Sequence, residues 1–262
     1  MASTFLIRFS VLVVFAFFTF CGFGQSAKEY LKFGNAKLKK KDFTGAVKDF
    51  TRAAELDKDY SKAYYFRGLA KDSLKEYEGA LADYNRALET NPKFNMVFYS
   101  RGVIKINMGD YAGAVYDLSQ VLEIRSGYPE AYYYRGRAKM LLEDFRGAEA
   151  DFTEAINSLP GEMDYYFYRG EAKLKIQDYK GAVADYTKVL EYDSDNARAY
   201  YSRGVAQIYM GNRSIGCLDL SKAGEYGCKE AYDLIKFYCN KYCGYKKSTI
   251  TPITEVLFSS FA

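Results

Sequence analysis

The sequence contains no histidine and no tryptophan, and only 4 prolines among its 262 residues. Without histidine there are no Ser–His or Cys–His nucleophile pairs, no imidazole metal ligands and no ordinary proton shuttle near neutral pH. Carboxylates, lysines and tyrosines remain, so catalysis is disfavoured rather than excluded. No glycine-rich phosphate loop or metal-binding triad appears, and no cofactor is expected. Charge of one sign is also scarce. The formal net charge is +4, and the densest basic run, Lys39-Lys40-Lys41, is ended at once by Asp42. A nucleic-acid binder carries a longer basic stripe, so nucleic acid is not an expected partner.

Aromatic residues are plentiful, with 27 Tyr and 19 Phe, and apolar residues make up 49% of the chain, enough for a core. The first 24 residues stand apart. Arg8 is their only charged side chain, and the apolar run is densest from Val11 to Phe20. It leads into Cys21-Gly22-Phe23-Gly24-Gln25. A basic residue, a hydrophobic stretch and two small residues at the cleavage subsites are the parts of a secretory signal, here cut before Gln25. Two other readings stay open. Residues 5–23 approach membrane-spanning length, though Arg8 lies inside them. Cys21 could be lipidated, though Phe20 before it is large. All three readings export the body of the protein to the periplasm or beyond, and a membrane contact is expected only under the last two.

An internal period dominates the rest. Arg-Gly recurs at Arg67-Gly68, Arg101-Gly102, Arg135-Gly136, Arg169-Gly170 and Arg203-Gly204, always 34 residues apart, and one period earlier stands Phe33-Gly34. Twelve residues beyond each Gly lie Ala46, Ala80, Ala114, Ala148, Ala182 and then Gly216. Three further on is an aspartate: Asp49, Asp83, Asp117, Asp151, Asp185 and Asp219. Small residues let two helices approach closely while large aromatics pack around the crossing. Segments such as Gly109-Asp110-Tyr111 carry the turn between two helices, and Asn91-Pro92 and Leu159-Pro160 end second helices.

Aromatics at repeat positions 4 and 24, Gly at 8 and Ala at 20 and 27 resemble the tetratricopeptide repeat. The resemblance implies an all-α, right-handed superhelical solenoid of six helical hairpins at 27–60, 61–94, 95–128, 129–162, 163–196 and 197–230. The sixth is degenerate, with Arg213 in place of the turn aromatic and Gly216 in place of Ala. Residues 231–243 read as a capping helix with Ala231, Leu234, Ile235 and Tyr238 on one face, and 244–262 as a flexible extension.

The sequence departs from that family at position 7, which is Arg in five units, at position 11, mostly Lys, and at position 23, always Asp. Recurrent Arg67, Arg101, Arg135, Arg169 and Arg203 with recurrent Asp49, Asp83, Asp117, Asp151 and Asp185 reads as structural pairing, because an unpaired charge at a packed position is costly. Pairing within units (Arg67 with Asp83) would strand Asp49. Pairing between units (Arg67 with Asp49) would strand Asp219. In such solenoids the first helices line a concave groove, and position 5 places Tyr65, Tyr99, Tyr133, Phe167 and Tyr201 toward it as a candidate partner-binding ladder. The alternative is that these rings fill space between units. The chaperone-binding clamp of some relatives is not expected, because Leu31 occupies the place of its first lysine. Cys217, Cys228, Cys239 and Cys243 cluster late in the chain. Cys239 is better placed to pair with Cys217 or Cys228 than with Cys243, one helical turn away. Free packed thiols are the other reading, and a zinc site lacks the paired short spacings.

The resulting expectation is an exported scaffold that binds a protein or peptide and does no catalysis. The alternative is a structural part of an envelope assembly, held by its edges, cap or tail.

Overall fold

The computed structural model describes residues 25–239. The leader with Cys21, the end of the capping segment with Cys243, and the extension at 244–262 lie outside the described residues. Within them the protein is all-α, in two compact units that divide between Leu159 and Pro160.

The first unit holds four hairpins. They are α1 (Ala27–Lys39) with α2 (Phe43–Leu56), α3 (Ser61–Ser73) with α4 (Tyr77–Thr90), α5 (Asn95–Asn107) with α6 (Tyr111–Ile124), and α7 (Pro129–Leu141) with α8 (Phe145–Ser158). The second unit holds α9 (Met163–Lys175) with α10 (Tyr179–Tyr192) and α11 (Ala197–Tyr209) with α12 (Arg213–Glu225). It closes with the short α13 (Glu230–Leu234) and one π-helical turn, Ile235–Cys239. The expected single capping helix is thus two short pieces. Ala231 is buried, while Leu234, Ile235 and Tyr238 are half-buried.

Each hairpin turn is made the same way. The residue at repeat position 15 has positive φ: Lys41, Lys75, Glu143 and Gln177 at 60° to 66°, and Gly109 and Gly211 at 84° and 86°. This left-handed residue reverses the chain. In four of the six an aspartate follows and caps the second helix, whereas Glu76 and Asn212 hold that place without a side-chain cap. Asp42, Asp110, Asp144 and Asp178 accept hydrogen bonds from the amides of Gly45, Gly113, Gly147 and Gly181 at 2.9–3.0 Å.

Helix crossings explain the invariant glycine. A Cβ on Gly68 would lie 2.5 Å from a ring carbon of Tyr84, and one on Gly102 would lie 2.9 Å from Cγ of Leu118. The large residue at position 24 therefore sits where a side chain at position 8 would be. In the last hairpin the helices come closer still. A Cβ on Gly216 would be 2.6 Å from the Gly204 carbonyl oxygen, so the substitution that made this unit look degenerate lets two backbones touch. The core of each unit continues across hairpins: Phe50 stacks on Phe66 with ring centroids 5.8 Å apart.

Replacing Gly68 with Ala should destabilise the protein by about 1–3 kcal/mol, the usual cost of overpacking a filled crossing. Urea unfolding checks this, and pairing the change with Tyr84→Leu should recover part of the loss.

Candidate functional site: the first-helix face and its charged support

The position-7 arginines lie at the base of the first helices, each against the aspartate of its own hairpin. Arg67 Nε donates to Asp83 at 2.9 Å, and Arg101 Nε and Nη2 grip Asp117 at 2.8 and 2.6 Å. Arg135, Arg169 and Arg203 hold Asp151, Asp185 and Asp219 in the same two-pronged way. Of the two pairing schemes the within-hairpin one is seen, and the pair Arg67–Asp49 is not. Asp49 instead meets Lys37 at 2.7 Å.

A second cation, not anticipated from the sequence, completes four of these sites. Lys71, Lys105, Lys139 and Lys173 reach the same aspartates at 2.8–2.9 Å. Position 11 is one helical turn beyond position 7, so both cations lie on one stripe. That spacing was the available signal. Each guanidinium also lies over the position-4 ring of its helix, Arg67 over Tyr64 and Arg203 over Tyr200, both at 5.4 Å. Its remaining nitrogen reaches back one hairpin: Arg101 Nη1 to Asn85 at 2.7 Å, Arg135 Nη1 to Ser119 at 3.0 Å. The arginine is therefore both a clamp within its hairpin and a stitch to the one before.

The proposed ring ladder needs correction. Tyr65, Phe167 and Tyr201 are buried, because position 5 packs against neighbouring rings. Tyr65 contacts Tyr84 and Phe94 with centroids 6.1 and 5.0 Å apart, and burial raises its phenol pKa. Phe167 lies against Tyr186. Tyr201 is covered near the cap, and burial, with Cys228 and Glu230 close by, pushes its phenol up to about 12.

Tyr99 and Tyr133 are half-buried. They form a cluster with two residues the sequence reading passed over. Tyr99 meets Tyr128 at 5.2 Å and Tyr134 at 5.8 Å, and Tyr133 meets Tyr134 edge-on at 5.1 Å. Arg137 lies over the Tyr133 ring at 5.7 Å. Within each unit successive first helices touch, α3 on α5, α5 on α7 and α9 on α11, so their remaining face is shared. The second unit carries a cavity of about 210 Å³ between α9, the end of α10 and the start of α11, lined by Asp164, Phe167, Tyr168, Tyr192, Asn196 and Arg198. Arg198 lies 4.6 Å over the Phe167 ring. Nearby Glu171 has its pKa raised by removal from water, opposed by Arg198 and Lys175.

Cys217 and Cys239 form a disulfide that ties the π-helical turn to α12. Cys228 is buried and unbonded, which corrects its place among the disulfide candidates.

Tetratricopeptide repeat families match residues 27–60 and 61–94, and a TPR repeat family matches 170–211. The chain belongs to the tetratricopeptide-repeat proteins. Among solved structures it resembles YrrB, described as a TPR protein with an unusual peptide-binding site. The two are 24% identical over 71% of this chain and 97% of that one, with a TM-score of 0.67. MamA from Desulfovibrio magneticus RS-1 is 24% identical over 66% and 98%, with a TM-score of 0.62. The C-terminal part of a TPR protein from Cytophaga hutchinsonii is 16% identical over 79% and 87%, with a TM-score of 0.69. These likenesses establish the fold. No curated protein matches the chain. Tetratricopeptide-repeat proteins are generally interaction scaffolds rather than enzymes.

In this TPR protein the ion clusters support the face without forming it. Asp117→Asn would leave Arg101 and Lys105 half-buried with no anion between them. The expected cost is about 3–5 kcal/mol, the loss typical of breaking a buried pair from one side. Denaturant unfolding measures it, and a loss below 1 kcal/mol would show the carboxylate to be dispensable.

Proposed function

We propose that this TPR protein is an exported binding scaffold that holds an extended segment or helix of a partner protein on its first-helix face. The observation that carries this reading is the half-buried cluster of Tyr99, Tyr128, Tyr133 and Tyr134 beside Arg137. Tyrosine gives wide contact area at low entropy cost, and Tyr and Arg are the residues enriched in binding hot spots. Rings already held by one another lose little freedom when a partner covers them. Protein–protein interaction is the general role of the family.

A second reading has its own observation. Leu218 on α12 and Phe237 in the closing turn are 65% and 70% exposed, which favours an assembly component docked by its last hairpin and cap. One experiment separates the two. A photo-crosslinking residue is placed at Tyr134, at Leu218, and at Tyr116, an exposed position on the second helix α6. Adducts formed from position 134 and absent from the others support the first-helix face. Adducts confined to position 218 transfer the function to the cap.

Export is the other part of the proposal. It rests on the leader pattern and on the Cys217–Cys239 bond, which is at home in an oxidising compartment. Mass spectrometry of the chain recovered from its own cells should find Gln25 at the N-terminus. A chain that keeps Met1, or one that begins at an acylated Cys21, would replace cleavage with an anchor.

A further inference from the structure

The two ends of the fold are finished differently. At the C-terminal end α13 and the π-helical turn lie on α12, held by the disulfide. At the other end α1 contacts only α2 and α3 among the described helices. Its outer face is the one that later first helices use to pack on the hairpin before them. Position 3 there is Ala63, Val97, Ala131 or Ala199, and position 10 is Ala70, Ile104, Ala138 or Ala206, all fully buried. Position 6 includes Phe66, stacked on Phe50.

In α1 the same stripe reads Glu29, Lys32, Phe33 and Ala36, with Lys40 one turn further on, and every one of these is exposed. Glu29 is engaged in the capping box, accepting from the Ser26 amide at 2.7 Å. Phe33, where five other hairpins carry the half-buried, paired arginine, is 45% exposed. Lys28, Lys39 and Lys41 flank the stripe and are also exposed. From Ala27 to Lys41 there are six lysines and one glutamate. That is more positive charge than the +4 of the entire chain. Lys37 alone among the six has an ion pair within the described residues.

A capping repeat normally covers an apolar end with a mixed polar face. Here the end face is cationic around one exposed ring. We infer that the end face of α1 is a contact site for an anionic lipid surface, with Lys28, Lys32, Lys39, Lys40 and Lys41 meeting the headgroups and Phe33 entering the interface. Clustered lysines gain from the negative surface potential of such a bilayer, and an aromatic ring is at home at headgroup depth. The site is separate from the tyrosine cluster on α5 and α7, so a membrane-held scaffold would keep its first-helix face for a protein.

Lysine acetylation read by mass spectrometry tests this on the full chain. The protein is labelled alone, with phosphatidylcholine vesicles, and with vesicles that also contain phosphatidylglycerol. Slower labelling of Lys32, Lys39, Lys40 and Lys41 only on the anionic vesicles, with Lys58, Lys93 and Lys229 unchanged, is the expected result. Replacing Lys32, Lys39, Lys40 and Lys41 with Gln should weaken anionic-vesicle binding by about fivefold per lysine, and molar salt should abolish the protection. Equal protection on both kinds of vesicle, or none on either, overturns the inference. So would protection by polyglutamate in the absence of any by vesicles, which would assign the face to an acidic protein segment instead.

Discussion

The buried aspartate at position 23 is the constraint around which each later hairpin is arranged. Asp117 is fully buried, and a carboxylate in that position is tolerable only with its charge matched and its lone pairs filled. One arginine supplies the two-pronged bond, and one lysine from the next turn of the same helix supplies the third contact. The two helices are thereby fixed in register. The arginine can serve only from position 7, so the aromatic at position 4 becomes its roof and a polar residue on the preceding hairpin receives its spare nitrogen. Asp49 lacks the arginine, is held by Lys37 alone, and is more exposed than its counterparts. The comparison within one chain shows what the arginine adds, namely closure of the site from water.

A second constraint acts between hairpins. The residue at position 24 and the one at position 6 of the next hairpin are matched in size. Phe50 stacks on Phe66. The larger Tyr84 has the small Ser100 beside it, and Tyr186 has Ser202. Leu118 and Tyr134 share one cluster. The hydroxyls of Tyr84 and Tyr186 are buried, and the serine that leaves room for each longer ring is also a polar group close to it. Hairpins that look alike are therefore not interchangeable. Polar pairing fixes the inside of each one, and ring matching fixes which neighbour it accepts.

These two layers differ in how plainly they can be read from a sequence. The 34-residue period, the glycine at position 8 and the Arg–Asp column repeat without drift, so the hairpins and their charged partners were legible. The choice between pairing schemes was not, because both keep the same spacing. It turns on which helix faces the aspartate, and Lys71 and its equivalents were the overlooked clue, one turn from each arginine. The position-5 rings failed for a related reason. A residue at that position packs toward the rings at positions 24 and 34 nearby. Phe94 covers Tyr65, whereas Tyr128 leaves Tyr99 half-open. The neighbours of each ring, not the period, decide whether a tyrosine is core or surface.

That last distinction bears on where binding can evolve in this fold. Residues that recur in every hairpin are committed to the ion clusters and crossings, and changing one disturbs stability before it alters recognition. Variation is confined to positions that break the repeat: Arg137 against Glu171 and Val205 at position 9, Phe33 against the arginines, Leu218 at a position that is otherwise Lys, Ala or Tyr. These departures are not scattered. One group lies on α5 and α7, another on the outer face of α1, and a third on α12 and the closing turn. Each concentrates exposed or half-buried aromatic, apolar or cationic side chains where the repeat alone would put small or paired ones. In a protein whose core is periodic, the aperiodic residues are the ones left to carry specificity.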